Sequence, residues 1–205
     1  PARSLEFTAL TRESRSLNHP RAAGRRRILD GVRVLDFTAV VAGPYCTRLM
    51  ADLGADVLKI EPLDGELMRH TPPLREGVSA LFAQLNAGKR SLALDLKQPA
   101  AIELVHGLLA RYDVVVENYS PGVMTRFGLD YATRSRRYPR LVMCSISGFG
   151  QSGPDAHKPA FAPIVHAWSG YDAVTLGYQE TGGAGAGRPL NMGLPVADNL
   201  AAVQA

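Results

Sequence analysis

Asp198 is a residue whose type and position could supply a nucleophile. It follows a small apolar segment and precedes Asn199 to Ala202, a sequence that begins a helix. Asp is among the best helix N-cap residues, and this spacing predicts that role for Asp198. The dipole and free amides of a helix N-terminus also hold a carboxylate ionised, as nucleophilic attack requires. Sequence spacing alone does not choose between the cap and the nucleophile.

A second candidate site is Asn118-Tyr119-Ser120-Pro121-Gly122, where a predicted strand ends and a predicted helix begins. Arg126 lies one turn into that helix. Free N–H groups and a guanidinium would converge there on an anionic ligand. A solvated turn with a surface arginine explains the same residues, and on their evidence alone it is the simpler interpretation.

The stretch Gly148 to Gly153 matches the G-x-G-x-x-G pattern of dinucleotide binders and follows a predicted strand. The next residues, Pro154 to Pro159, cannot form the helix that caps the pyrophosphate in that motif. A turn-rich loop that donates backbone N–H groups is therefore favoured over an NAD site. The Gly/Ala stretch Gly182 to Gly187 resembles a surface linker, and the five histidines lack metal-ligand spacing, so we expect no metal.

The elements that must position these residues begin with a strand, a helix and a second strand between Val32 and Glu61. The apolar run through Phe37 is typical of a strand buried on both faces. Pro44 fits the first helical position, Gly54 ends the helix, and the second strand ends at Glu61. An acid at a strand end is most often solvated, which is what we expect of Glu61.

Further strands are predicted at Ser91 to Leu96, Asp113 to Asn118 and Leu141 to Ile146, with a helix from Pro99 and an exposed loop from Pro62 to Val78. This alternation predicts an α/β fold, a mostly parallel sheet with helices on both faces. Ligands of such sheets collect at the carboxyl ends of the strands. Those ends are Thr38 to Gly43, Glu61, Asn118 to Gly122 and Ser147 to Gly153.

The composition excludes several classes of protein. The 205 residues are 46% hydrophobic and 20% charged, which is ordinary for a globular domain, and no apolar run reaches membrane-spanning length. Residues 1–28 are rich in arginine and are predicted to be a flexible leader or linker, without the interleaved aromatics of a nucleic-acid binder. Cys46 and Cys144 are predicted to be buried free thiols, as in the cytoplasm or the matrix of an organelle.

Several stretches together resemble the family III CoA-transferases, which include formyl-CoA transferase, carnitine CoA-transferases and α-methylacyl-CoA racemase. The matching text is Leu29 to Asp36, Ala42-Gly43-Pro44 with Leu53 to Pro62, Asn86 with Lys89 to Lys97, Val116 to Gly122 with Arg126-Phe127-Gly128, Ser147 to Gly150, and Gly193 to Asp198. Each motif alone is weak, whereas their common order and spacing are specific.

The resemblance implies that residues 29–205 are the N-terminal part of a Rossmann-like large domain, truncated at its C-terminus, from a fold in which two chains interlock as a homodimer. It implies acyl-CoA and a free carboxylic acid as substrates, coenzyme A as the group transferred, and Asp198 as the nucleophile that forms an aspartyl-CoA thioester. We expect the fragment alone to be inactive. The implied CoA-binding residues are Val41, Ala42, Leu94, Asp95, Leu96, Lys97, Asn118, Tyr119, Ser120 and Arg126.

Some positions depart from the family pattern. The racemases carry a second acid/base histidine where this chain has Phe161, so racemisation is disfavoured. Val41, Pro62 and Ala162 also differ from residues common in the family. These departures leave open a catalytically inactive member that binds CoA or a partner, and an NAD-dependent oxidoreductase remains a third, weaker hypothesis because only Gly148 to Gly153 supports it.

Overall fold

The computed structural model describes residues 26–176 and 193–205. These two ranges contain seven strands: β1 (Arg33–Asp36), β2 (Asp56–Glu61), β3 (Leu74–Arg75), β4 (Val78–Ser79), β5 (Arg90–Ala93), β6 (Val114–Glu117) and β7 (Val142–Ser145). Five of them form one parallel sheet in the order β5-β2-β1-β6-β7, while β3 and β4 form a small antiparallel hairpin. Most of the predicted leader, residues 1–28, and the stretch Gly182 to Gly187 lie outside the described residues.

The helices of the described ranges are α1 (Ala42–Asp52), α2 (Ala80–Asn86), α3 (Pro99–Leu109), α4 (Val123–Arg126), α5 (Tyr131–Arg134), α6 (Ala162–Ser169), α7 (Tyr171–Thr175) and α8 (Val196–Gln204). A short 3-10 helix covers Leu67–His70. None of the helices in this part of the chain is long and apolar enough to cross a membrane.

Helices cover both faces of the sheet, because successive strand residues point to opposite sides. On one face Leu35, Leu58 and Val115 pack with Val105 and Leu109 of α3. On the other face Val34, Val57 and Val116 pack with Cys46 and Ala51 of α1 and Ala202 of α8. The predicted α/β fold is therefore confirmed, and the buried aliphatic side chains that join its layers contribute about 1.5–3 kcal/mol each.

The order in which successive strands are added to the sheet reverses at β1. This strand pairs with β2 on one side and with β6 on the other, so the chain leaves β1 toward β2 and later returns to its opposite edge. The carboxyl ends of β1 and β6 thus lie side by side at a topological switch point, where ligands of open α/β sheets bind. Loops that follow these two strands are placed next to each other by the pairing.

Several local predictions are wrong. Helix α1 begins at Ala42, two residues before Pro44. The segment Pro62 to Val78 is not only a loop, because it contains the 3-10 helix and most of the β3-β4 hairpin. Both cysteines are free thiols as predicted, but only Cys46 is buried, and burial raises its pKa to about 11.

Buried charges occupy the face of the sheet beneath α1. Asp36 is fully buried at the end of β1 and accepts hydrogen bonds from the hydroxyl of Thr47, at 2.6 Å, and from Nζ of Lys89, at 3.0 Å. The same ammonium donates to the carbonyl oxygen of Pro44 and to Oδ1 of Asn86. Lys89 therefore joins β1, α1 and the end of α2 through one desolvated charge.

Substitution of Lys89 by methionine tests this junction. Lys89→Met keeps the length of the side chain but leaves the Asp36 carboxylate buried without a counter-charge, so the free energy of unfolding should fall by about 3–5 kcal/mol. Arg90→Met is the control, because the Arg90 to Asp56 ion pair is largely exposed and should be worth less than about 1 kcal/mol. Urea unfolding of both variants measures the difference, and equal losses would contradict the proposed role of the buried pair.

Candidate functional site

A cleft of about 180 Å³, called here the first cleft, opens at the carboxyl edge of the sheet beside the switch point. It is bounded by the loop after β6, the residues after β7, the segment that leads into α6, and the first turns of α1 and α8. Its lining residues are Ala42, Asn118, Tyr119, Ser120, Pro121, Ile146, Ser147, Gly148, Lys158, Pro159, Ala160, Phe161, Ala162, Val165, Ala197, Asp198 and Ala201. Asp198 is the one carboxylate among these.

Asp198 is half-buried in the first turn of α8. It is the third residue of the helix, and Pro195 occupies the N-cap position, so the predicted N-cap role of Asp198 is wrong. Burial raises the pKa of the Asp198 carboxyl, and the opposing effects of its own backbone amide and of His166 do not cancel this. The side chain is thus a partly desolvated carboxylate that faces a cleft, which differs from the dipole-held anion that the sequence suggested.

Asn118 fixes the two loops that meet at the switch point. Its Oδ1 accepts the N–H of Ala39 and its Nδ2 donates to the carbonyl oxygen of Ala39, both at 2.8 Å. The next residue, Val40, has a φ of +69°, and its N–H donates to the buried carboxylate of Glu66 at 3.0 Å. A branched residue adopts this backbone conformation only when its surroundings hold it there. The path of the chain into Val41 and Ala42 is therefore set by Asn118 and Glu66.

Tyr119 separates the first cleft from a second cleft of about 470 Å³. Its N–H donates to Glu117, and burial, followed by the charges of Glu117 and Asp36, raises the pKa of its hydroxyl to about 12. The phenol is therefore neutral, and it forms part of the lining of both clefts. The second cleft is lined by Ile60, Glu61, Pro62, Leu63, Asp64, Leu94, Asp95, Leu96, Lys97, Tyr119, Val123 and Phe127.

The predicted binding residues divide between these two clefts. Ala42, Asn118, Tyr119, Ser120 and Asp198 lie in the first, although they come from distant parts of the chain. The run from Leu94 to Lys97 lies in the second, with Tyr119 common to both. Val41, the N-cap of α1, and Arg126, an exposed residue of α4, line neither cleft.

The three glycines of the loop after β7 are required for close packing and for positive φ angles, and not for binding a dinucleotide. A Cβ on Gly148 would lie 2.1 Å from the Cβ of Ala160, so the residue permits close approach of the segment that bears Phe161. Gly150 and Gly153 have positive φ angles of +82° and +99°. The next helix, α6, begins only at Ala162, which leaves no helix N-terminus for a pyrophosphate. The pattern is a turn-rich loop, as the sequence favoured.

Lys158 is a cleft residue that the sequence did not single out. Its ammonium lies 2.6 Å from Oδ1 of Asp155 and 4.4 Å from the centroid of the Trp168 ring. No sequence pattern indicates that Lys158, in the loop from Pro154 to Pro159, lines the first cleft. Within residues 26–176 and 193–205, no group of three or more His, Cys, Asp or Glu side chains is placed so that it could hold a metal ion.

The prediction that Glu61 is solvated is wrong, because the residue is only 2% exposed. Its two oxygens accept hydrogen bonds from Nε and Nη2 of Arg69, at 2.6 and 2.7 Å, and one also accepts from Ser91. Burial alone would raise the pKa of Glu61, but these bonds outweigh it and lower the pKa to about 2. The carboxylate therefore anchors the floor of the second cleft to the 3-10 helix.

The Glu61 ion pair should make stability depend on acid pH. Its folded-state pKa lies below the ordinary value, so its contribution is present above pH 4.5 and is lost as the pH falls toward 2. Glu61→Gln should cost about 2 kcal/mol at pH 7, and its difference from the parent should shrink below pH 4.5. Glu103→Gln, at an 81% exposed side chain, is the control with an effect under about 0.5 kcal/mol. Unfolding curves at pH 7, 4 and 2.5 measure this, and a difference that stays constant with pH would contradict it.

Gly148→Ala should push the Phe161 segment away from the end of β7. The added Cβ overlaps Ala160, and overpacking at this partly exposed contact should lower the free energy of unfolding by about 1 kcal/mol. Gly107→Ala is the matched control, since nothing lies within 4 Å of the added Cβ in α3 and the change should stabilise by about 0.5–1 kcal/mol. Thermal melts report both effects, and stabilisation by Gly148→Ala would rule out the close contact.

Comparison with known proteins identifies the family. The sequence profile described as CoA-transferase family III matches residues 29–205. The chain is 41% identical over 149 residues to the succinyl-CoA:glutarate CoA-transferase of Mus musculus, covering 72% of this chain and 34% of that protein. It is 41% identical over 184 residues to the succinyl-CoA:mesaconate CoA-transferase of Haloarcula hispanica, covering 85% and 45%.

Solved structures agree with this comparison. Rv3272 from M. tuberculosis superposes with a TM-score of 0.77 at 31% identity, over 88% of this chain and 49% of that one. A CAIB/BAIF family protein from Brucella suis gives 0.76 at 33% identity, over 88% and 48%. The chain thus spans less than half the length of these relatives. The resemblance found in the sequence is confirmed, and the chain belongs to CoA-transferase family III.

Proposed function

We propose that the protein carrying this chain is a CoA-transferase that moves CoA from an acyl-CoA to a free carboxylic acid through Asp198. One observation carries the proposal: the carboxylate of Asp198 is the single acid in the lining of the first cleft, where it is partly desolvated at the first turn of α8. A carboxylate with little hydration to shed is suited to attack a thioester carbonyl.

In the proposed reaction, CoA is first transferred from the donor acid to Asp198 and then from Asp198 to the acceptor acid. An oxygen of Asp198 attacks the thioester carbonyl carbon, the carbon–sulfur bond breaks, and the CoA thiolate leaves a mixed anhydride behind. The thiolate then attacks the carbonyl carbon of Asp198, which expels the donor acid and gives an aspartyl-CoA thioester. The acceptor carboxylate reverses the sequence through a second anhydride, so that CoA leaves on the new acid and Asp198 is regenerated.

CoA itself is proposed to extend across Tyr119 from the first cleft to the second. Ala42, Asn118 and Ser120 would surround its thioester end, while Leu94 to Lys97 would hold the remainder. Lys97 supplies positive charge there and Arg126 lies at the exposed rim, where both can pair with phosphates. Val41 would act only through its position before Ala42, since its side chain lines neither cleft.

The acids transferred are proposed from the relatives. Curated relatives from Mus musculus and Haloarcula hispanica are named for succinyl-CoA as the donor, and for glutarate and mesaconate as acceptors. Succinyl-CoA is therefore the first donor to test. The assembly proposed is an interlocked homodimer, as the family resemblance implies.

A catalytically inactive member that binds CoA is the alternative function. The observation that favours it is the set of departures at Val41, Pro62 and Ala162, of which Pro62 and Ala162 line the two clefts. Retention of the cleft and of Asp198 favours the active enzyme. The two functions differ in whether a covalent adduct forms, which is a direct measurement.

Succinyl-CoA turnover should leave a covalent mark on Asp198. Incubation of the purified protein with succinyl-CoA, followed by digestion and mass spectrometry, should detect a CoA-sized mass increase on the peptide that contains Asp198. Asp198→Asn should lose the adduct and at least about a thousandfold of the turnover rate, because the amide is not a nucleophile. Asp52→Asn, at an exposed residue at the end of α1, is the control and should keep both.

The contrary result is equally clear. An unmodified Asp198 peptide during measurable turnover would refute the covalent route. Binding of CoA without turnover or adduct would support the inactive member instead.

A further inference from the structure

Helix α8 lacks a side-chain cap of its own. Its N-cap residue is Pro195, whose side chain has no hydrogen-bond acceptor, and no cap bond forms there. The first amides of a helix have no partner within the helix and need one from elsewhere. The N–H of Val196 donates to the carbonyl oxygen of Leu194, and that of Asp198 bonds its own carboxylate, so the N–H of Ala197 is the first-turn amide that takes its partner from another part of the chain.

His166 of α6 supplies that partner. Its Nε2 accepts the N–H of Ala197 at 3.1 Å, across 31 residues of sequence. The imidazole is 4% exposed, and its ring lies 5.0 Å from the ring of Tyr171, which follows the turn at Gly170. Because the backbone N–H of Ala197 is the donor, Nε2 of His166 acts as the acceptor in this contact.

This contact lies directly beside the candidate nucleophile. Ala197 precedes Asp198 in α8, and both residues line the first cleft, whereas His166 is not part of that lining. His166 is therefore not among the residues that form the surface of the first cleft. The hydrogen bond to Ala197 links His166 to the direction of the Asp198 side chain, in addition to the effect of His166 on the pKa of that carboxyl.

We propose that His166 is a positioning residue, which caps α8 from α6 and aims the Asp198 carboxylate into the first cleft. This inference rests on the proposed function, because it assigns a role in the same attack on the thioester. Misplacement of a nucleophile by about 1 Å costs on the order of a hundredfold in rate. Loss of the cap should therefore slow the covalent step while leaving CoA binding nearly intact.

Two variants separate the cap from simple filling of space. His166→Leu keeps a side chain of similar bulk without an acceptor, and His166→Gln offers an amide oxygen near the position of Nε2. Single-turnover formation of the aspartyl-CoA adduct at saturating succinyl-CoA should slow by about a hundredfold in His166→Leu and by less than about tenfold in His166→Gln. The KM for succinyl-CoA should change by less than about threefold in both, since neither cleft is lined by His166.

Ser169→Ala is the matched control, because the Ser169 hydroxyl bonds the backbone oxygen of His166 and leaves the ring contact untouched. It should form the adduct at the parental rate. A parental rate in His166→Leu, or equal hundredfold losses in folded His166→Leu and His166→Gln, would overturn the positioning role. If His166→Leu does not fold, His166→Gln decides alone, and a folded Gln variant slowed a hundredfold overturns the proposal. Absence of an adduct in the parent protein would instead refute the proposed function.

Discussion

The buried carboxylate of Asp36 is the interaction on which the carboxyl edge of the sheet depends. It accepts the amide and hydroxyl of Thr38, the hydroxyl of Thr47 and the ammonium of Lys89, all within 3.0 Å. Thr38 starts the loop after β1, Thr47 lies in α1, and Lys89 precedes β5, so one ion fixes three elements. A buried charge tolerates only the geometry that keeps it paired. Because Asp36 and Lys89 must stay paired, their bonds to Thr47 and Pro44 also fix the position of the first turn of α1, which borders the first cleft.

The central strands of the parallel sheet were predictable from sequence because burial on both faces leaves a continuous apolar run, as in the residues of β6. The start of α1 was not, because Gly43 allows the helix to begin next to Thr38, where a Cβ would lie only 2.4 Å from that side chain. The hairpin of β3 and β4 was missed for a related reason. Its support comes from Ser79, whose hydroxyl donates to the carbonyl oxygen of Thr71, a contact with no periodicity to reveal it.

The candidate site likewise contains some residues that were predictable from sequence and others that were not. Asn118 and Tyr119 could be found from sequence because the ends of parallel strands share one edge, and that rule needs only strand order. Lys158 and His166 could not be found from sequence, since each is placed by a contact with another element. Lys158 lies over the ring of Trp168, and His166 accepts the amide of Ala197. Arg126 is the converse case, because the sequence placed it beside Asn118 and Ser120 at one site, whereas its exposed side chain lines neither cleft.

The position of Asp198 within α8 follows from how the helix is capped. An aspartate at the N-cap directs its oxygens to the amides of the next two or three residues, which stabilises the helix but occupies the carboxylate. Here the amide of Ala197 is taken by His166, and Asp198 lies three residues past the N-cap with a bond to its own amide. The carboxylate therefore does not occupy the N-cap position, and it lies half-buried with its pKa raised by that burial. Because the cap and the carboxylate are different residues, the helix terminus can be capped while Asp198 remains in the lining of the first cleft, as the proposed function requires.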